Sequence, residues 1–285
     1  MFTSPKFIVM KKIIPLFVLA AILFSCSSDE NSSAGNSSLL KRVDFYPNKP
    51  NESHWNFNNL GLLDNITKQD GTLVEKFVYD SNKNVIKDTK YNNGSVVADY
   101  NVTYDSANII TSINGVAYDY VYSAAGFRYS YTNATENFSC EINNDMLLTK
   151  YSYSNTDSPE KKYDAVYSNN NMISFQRTNN GTVDLVRNYS FGSDTGNGNP
   201  LRNACLGVMK LKSLTEPEFF MDGIFSKSVV LALSFGTGNS IHYTYGLLTN
   251  SANHLSQHDI EVFNGVTFVE YINYSKYYYQ GDDLP

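Results

Sequence analysis

The residues from which this chain could build chemistry are four histidines, three cysteines and a scatter of carboxylates. His254 and His258 stand four apart, a spacing that on a helix aims two imidazoles at one metal ion, with Asp259 and Glu261 beside them as carboxylate ligands. The preceding residues 250–253 (NSAN) read as loop, and no apolar period supports a helix. Leu255 also stands where zinc peptidases carry glutamate, so loop histidines are expected. Residues 193–199 (SDTGNGN) alternate oxygen-bearing side chains with glycines, as calcium loops do, but lack the downstream bidentate glutamate of an EF-hand. No Gly-x-Ser-x-Gly is present, and neither Cys140 nor Cys205 has a nucleophile's setting. Glycoside cleavage needs two facing carboxylates at a set separation. The candidates Asp99, Asp119 and Asp184 lie in strand-like segments opposite the apolar face. The expectation is no catalytic residue, no metal and no cofactor.

Aromatic residues offer a different chemistry. The chain has 22 tyrosines and 17 phenylalanines. Trp55, Tyr271, Tyr274 and Tyr277 are candidates for stacking on the C–H faces of a sugar. The competing reading buries the rings in a sheet and leaves the hydroxyls wet. Alternation puts Tyr118, Tyr120 and Tyr122 on one face, expected to be the core. Cys140 and Cys205 are a candidate disulfide, worth about 4 kcal/mol in the chain-entropy model; two buried thiols are the alternative.

The elements that must position these residues are strands. Val96, Ala98, Tyr100, Val102 and Tyr104 alternate with polar or smaller neighbours; Val116, Tyr118, Tyr120 and Tyr122 repeat the pattern. Val183, Leu185, Tyr189 and Phe191 do so again, with Arg187 on the same face. Asn93-Gly94, Asn114-Gly115, Asn180-Gly181 and Asn264-Gly265 sit between apolar runs and supply the two positive-φ positions of a type I′ hairpin turn. Abundant tyrosine suits a pleated surface, and abundant asparagine suits turns. The one helix candidate is Leu201 to Leu214, on a thin apolar pattern. Val229 to Phe235 reads as a strand buried on both faces.

Ahead of these strands, Lys11 and Lys12 precede an apolar run from Ile13 to Phe24. Twelve helical residues span about 18 Å, too short for a hydrocarbon core of about 30 Å, so the run reads as a signal peptide. Met10, just before the lysines, is an alternative start. Leu23-Phe24-Ser25-Cys26 resembles the lipobox of bacterial lipoproteins, which implies cleavage before Cys26 and a lipid on its thiol. A lipidated Cys26 would tether the chain at a membrane without crossing it. Ser28-Asp29-Glu30 resembles the surface-export signal of Bacteroidota lipoproteins, implying an outer-membrane, outward-facing location. Residues 26–39 form a Ser/Asn/Gly linker reaching about 20 Å, and 40–285 read as one β domain. Removing residues 1–25 takes three lysines from 22 basic residues and leaves 28 acidic ones, a charge of −9. Such a domain has no electrostatic footprint for nucleic acid.

A loose repeat runs through the first half. Residues 79–86 (YDSNKNVI) and 104–110 (YDSANII) match, with degenerate copies at 122–127 and 167–173. This resembles the YD repeats of RHS-type proteins, and more nearly the uncharacterised secreted lipoproteins of Bacteroidota whose hairpins form a porin-like antiparallel sheet. The resemblance covers residues 60–285 and brings no catalytic residues. Asp105-Ser106-Ala107 also resembles the acceptor of Bacteroidota protein O-glycosylation, which would place a sugar on Ser106. The fold expected is all-β: a large antiparallel meander of hairpins forming a curved sheet or partly closed barrel. The function expected is a non-enzymatic surface lipoprotein binding a glycan or an outer-membrane protein. The alternatives are a carbohydrate-active enzyme or a purely structural envelope protein.

Overall fold

The computed structural model describes residues 39–191, 199–220, 223, 225–228, 230–235, 241–252, 254–264 and 266–285. Cys26, residues 193–198 of the calcium-like loop and Gly265 lie outside the described residues. The strands are β1 (Leu40–Phe45), β2 (Ser53–Phe57), β3 (Leu63–Lys68), β4 (Leu73–Tyr79), β5 (Val85–Asn92), β6 (Ser95–Tyr104), β7 (Ile110–Ile113), β8 (Val116–Ala117) and β9 (Asp119–Ser123). They continue as β10 (Gly126–Thr132), β11 (Glu136–Asn143), β12 (Leu148–Asn155), β13 (Ser158–Ser168), β14 (Asn171–Asn179) and β15 (Thr182–Phe191). The last are β16 (Val230–Phe235), β17 (Ile241–Thr249), β18 (Leu255–Asn264) and β19 (Thr267–Tyr279). Between β15 and β16 lie helices α1 (Pro200–Ala204) and α2 (Leu206–Thr215) and a 3₁₀ turn, Pro217–Phe220.

Every pairing is antiparallel, and nearly every strand pairs with its sequence neighbours, as a meander requires. The exception joins the ends: β1 pairs with β2 on one side and β19 on the other. β8 pairs with β7, and β9 with β10, so the curved sheet is not a closed barrel. Among the described residues, no helix is long and apolar enough to cross a membrane.

Two kinds of turn sit at the two ends of the strands. At one end Asn93-Gly94, Asn114-Gly115 and Asn180-Gly181 have positive φ at both residues (48° and 79°, 50° and 79°, 46° and 75°), the type I′ geometry expected of them. At the other end a five-residue turn recurs at 58–62, 80–84, 105–109, 143–147 and 250–254. In each, the side chain of the leading Asn or Asp accepts from the backbone N–H groups two and four residues on: Asp80 from Asn82 and Asn84, Asp105 from Ala107 and Ile109, Asn143 from Asp145 and Leu147. Asn58 and Asn250 do the same. The fourth residue of four copies is left-handed: Gly61, Lys83, Asn108 and Met146, at φ 61–70°. The sequence repeat is therefore a turn device, in which a carboxylate or amide replaces missing ladder partners.

The apolar face turns inward and the ionic face outward. In β11, Phe138, Cys140 and Ile142 are buried, while Glu141 between them pairs with Lys150 on the outer face. Lys87–Asp99 and Lys162–Glu160 are further outer pairs. The helical segment packs against this inner face. Asn199 caps α1 by accepting from the Leu201 N–H at 3.1 Å, and Pro200 takes the first turn, where its missing N–H costs nothing. Residues 208–214 of α2 are all buried, lysines included. A helix enclosed on all sides needs no one-sided stripe, which is why its apolar pattern in the sequence is thin.

Cys140 and Cys205 are free thiols, so the expected disulfide is not made. Cys140 Sγ donates to the Ser213 carbonyl at 3.1 Å. Cys205 lies eight residues earlier along the same helix, about 12 Å along its axis, far beyond bridging distance. Burial pushes both thiols well above their ordinary pKa. A thiol reagent is expected to label neither in the native protein and both in denaturant; rapid native labelling would refute this placement.

Candidate binding site

Four of the five-residue turns (58–62, 80–84, 143–147 and 250–254), the first described residues and the start of α1 surround one cavity of about 640 Å³, within the size range of small-molecule sites. Its wall is formed by Leu39 and Leu40 at the entry to β1, Leu60 and Leu62 from the β2–β3 turn, and Met146 from the β11–β12 turn. Leu206 from α2 and Leu255 from β18 complete the aliphatic part. Polar groups are fewer: Asn82, Lys83 and Asn84, Asn203, Lys210, His254 and Tyr279. Among the described residues, no carboxylate lines it.

Lys210 reaches the cavity from α2. Its ammonium donates to the Asn108 carbonyl and lies 4.9 Å from the centre of the Tyr104 ring. Burial pushes its pKa down to about 8, against the pull of Asp105 and Asp80. His254 rests on the Tyr279 ring, centroids 4.9 Å apart, and its buried Nδ1 has no hydrogen-bond partner.

Two residues along α2, fully buried Lys212 is held between the helix and the sheet. It donates to Glu75 of β4, to Asp88 of β5 at 2.9 Å and to Glu216 at 2.7 Å. Lys90 adds a second ammonium, 2.5 Å from Glu216. Three carboxylates thus face two ammonium groups, and one proton neutralises the set. Desolvation raises the Glu75 carboxyl to about 7 in spite of the Lys212 charge. Its folded pKa lies above the unfolded value, so the stability it contributes is full below about pH 4.5 and is lost as pH rises through 7, on the order of 2–3 kcal/mol. His258 has the opposite sign: burial lowers it to about 4, so its contribution is present above 6.5 and lost as pH falls through 4. Comparison with Glu75→Gln isolates the first. Between pH 5 and 8 the melting temperature of the wild type should fall relative to that of the variant; a constant difference would sink the assignment.

Most residues proposed from the sequence for sugar stacking are not at a surface. Trp55, Tyr274 and Tyr277 are 6–8% exposed. Trp55 lies inside the sheet, parallel to Phe219 of the 3₁₀ turn with centroids 5.8 Å apart. Tyr274 packs edge-on to Phe45 and Tyr46. The candidate platform is corrected to Tyr271 alone, 56% exposed. The row Tyr118, Tyr120 and Tyr122 is core only at its first member: Tyr118 packs on Tyr131 and Phe138, whereas Tyr120 and Tyr122 are 40% and 63% exposed. Ser106 is exposed in the 105–109 turn. His254 and His258 bracket the start of an extended strand, not a helix turn. Asp99 bonds Thr89 and Lys87, and Asp184 bonds Arg177 and Asn179, all side-chain partnerships.

No protein-family model matches the chain, and no curated protein matches it in sequence. Among solved structures it is similar to a porin-like protein from Bacteroides uniformis ATCC 8492, at 10% identity and a TM-score of 0.41, over 86% of this chain and 99% of that one. It is also similar to a porin-like protein from Bacteroides vulgatus ATCC 8482, at 9% identity and a TM-score of 0.35, over 85% of this chain and 98% of that one.

Proposed function

We propose that this chain is a non-enzymatic binding protein of the bacterial envelope, tethered by a lipid on Cys26, with the cavity beside Leu39 and Leu40 as its recognition site. The observation that carries the reading is the cavity itself: aliphatic walls, three cationic or imidazole groups (Lys83, Lys210 and His254), and no carboxylate among its described lining residues. An acid–base pair for glycoside cleavage would need carboxylates there. The acid cluster of Glu75, Asp88 and Glu216 between α2 and the sheet is filled by the Lys212 ammonium.

The polarity of the sheet argues against a transmembrane pore. A membrane-spanning barrel turns an apolar band to lipid and polar residues to its lumen. Here aromatic and aliphatic residues pack inside, and ion pairs such as Lys150–Glu141 lie outside. A domain of this polarity held at a membrane needs an external anchor, which the lipobox-like Cys26 supplies.

Growth with labelled palmitate should mark the wild-type protein and leave Cys26→Ser unmarked and released from envelope membranes. Label on both, or on neither, removes the anchor. Surface display is checked by protease shaving of intact cells. A glycan or protein partner remains the reading for exposed Phe268, Val269 and Tyr271 on β19; Tyr271→Ala should lower retention on a polysaccharide gel or by a co-purifying partner.

A further inference from the structure

We infer that the cavity takes the aliphatic chain of a fatty-acid-type amphiphile, with its carboxylate placed at Lys210. This deepens, and rests on, the reading of the cavity as the recognition site. Three observations lead to it.

The first is the wall. Leu40, Leu62, Leu255 and Met146 offer branched or flexible aliphatic surface, which suits a methylene chain. A sugar would want an open aromatic face. The nearest ring, Tyr279, is 2% exposed and partly covered by His254. The second is the rim. Leu39, Leu60 and Leu206 border the same opening and are 42%, 62% and 41% exposed. Three exposed leucines converging on one hole form an apolar lip; scattered singly they would need no explanation.

The third is the Lys210 ammonium at the wall. An ammonium carries three donors. Lys210 gives one to the Asn108 carbonyl and presents its charge to the Tyr104 ring. A carboxylate seated beside Lys210 would accept from its ammonium. Asp80 and Asp105 lie behind Lys210 and are themselves occupied by their turns' backbone N–H groups, so they anchor the lysine without filling the cavity.

The test uses the full-length protein in its native membranes and three diazirine probes of equal chain length: a dodecanoic acid, the matching alcohol and a phospholipid carrying the same acyl chain. The acid should label peptides containing Leu60 or Leu206, and excess dodecanoate should suppress the label. Leu60→Asp, at an exposed position that tolerates charge, should remove it. Lys210→Met should weaken labelling by the acid about tenfold and leave the alcohol unchanged. Labelling by the phospholipid alone would overturn the assignment to a free carboxylate. So would equal loss of acid and alcohol in Lys210→Met at an unchanged melting temperature. If the acid fails while an oligosaccharide mixture shields His254 from chemical modification, the amphiphile is wrong and the recognition site stands. If nothing labels or shields the cavity, both readings fall.

Discussion

Replacing Lys212 by alanine is expected to cost about 3–5 kcal/mol of folding stability, the penalty for stripping one partner from a buried ionic set. The ammonium is wholly enclosed, and Glu75 and Asp88 are 7% and 0% exposed, so water cannot take its place cheaply. Without it three carboxylates face Lys90 alone, and Asp88, one of whose oxygens already lacks a hydrogen-bond partner, keeps no strong donor. For a domain of this size the loss corresponds to a melting temperature lower by about 10 °C. The same substitution on a Glu75→Gln background should cost clearly less, because one uncompensated charge has gone. Additive losses in that double-mutant cycle, measured by urea unfolding, would show that Lys212 acts through packing and not through charge.

Gly126→Ala is expected to be comparably damaging, for a reason confined to backbone. Gly126 opens β10 at φ 133°, a conformation that residues with a Cβ rarely adopt. An added methyl would run into the Ile142 carbonyl oxygen and sit 2.7 Å from the Asn143 Cα, both main-chain atoms of a central strand. Neither can swing aside as a side chain would. The cost is about 3 kcal/mol or more. Gly94→Ala is the control: at φ 79° its new methyl meets nothing within 4 Å, leaving only the left-handed backbone penalty of about 1–2 kcal/mol. Equal effects from the two would refute the steric account.

The parts of this molecule that were legible in its sequence are those governed by neighbours in the chain. Asn-Gly pairs demand positive φ, and three described pairs have it. Alternation in β6 and β15 picks out the inner residues Val102 and Tyr189 because a strand's period is fixed at two, while Val96 and Val183 near the strand starts are exposed. Helix α2 was locatable, but its setting was not: nothing local signals that Glu75 and Asp88, more than a hundred residues earlier, will meet Lys212. The same distance problem hid the cavity, whose wall is assembled from turns scattered between Leu39 and Tyr279. Tyr274 and Tyr277 misled as candidate stacking residues because composition cannot distinguish a ring packed in a core from one offered to a ligand. The YD-like repeat carried real information of a different kind. Its aspartates, Asp80 and Asp105, are hydrogen-bond acceptors that close five-residue turns, and the first of those turns lines the site.

The neighbourly pairing of β1 with β19 has a consequence for how the molecule is made. Residues some 240 positions apart share hydrogen bonds, as between the Gln280 side chain and the Leu40 carbonyl. A ribosome delivers the first of these strands long before the last, so throughout elongation one flank of β1 is an uncovered edge, open to any extended chain nearby. The final thirteen-residue strand is what seals it. Closure of that edge must therefore wait for β19 and proceed at the slow pace of far-apart contacts, and a premature stop before residue 267 leaves an aggregation-prone edge in place of a shortened but sound domain.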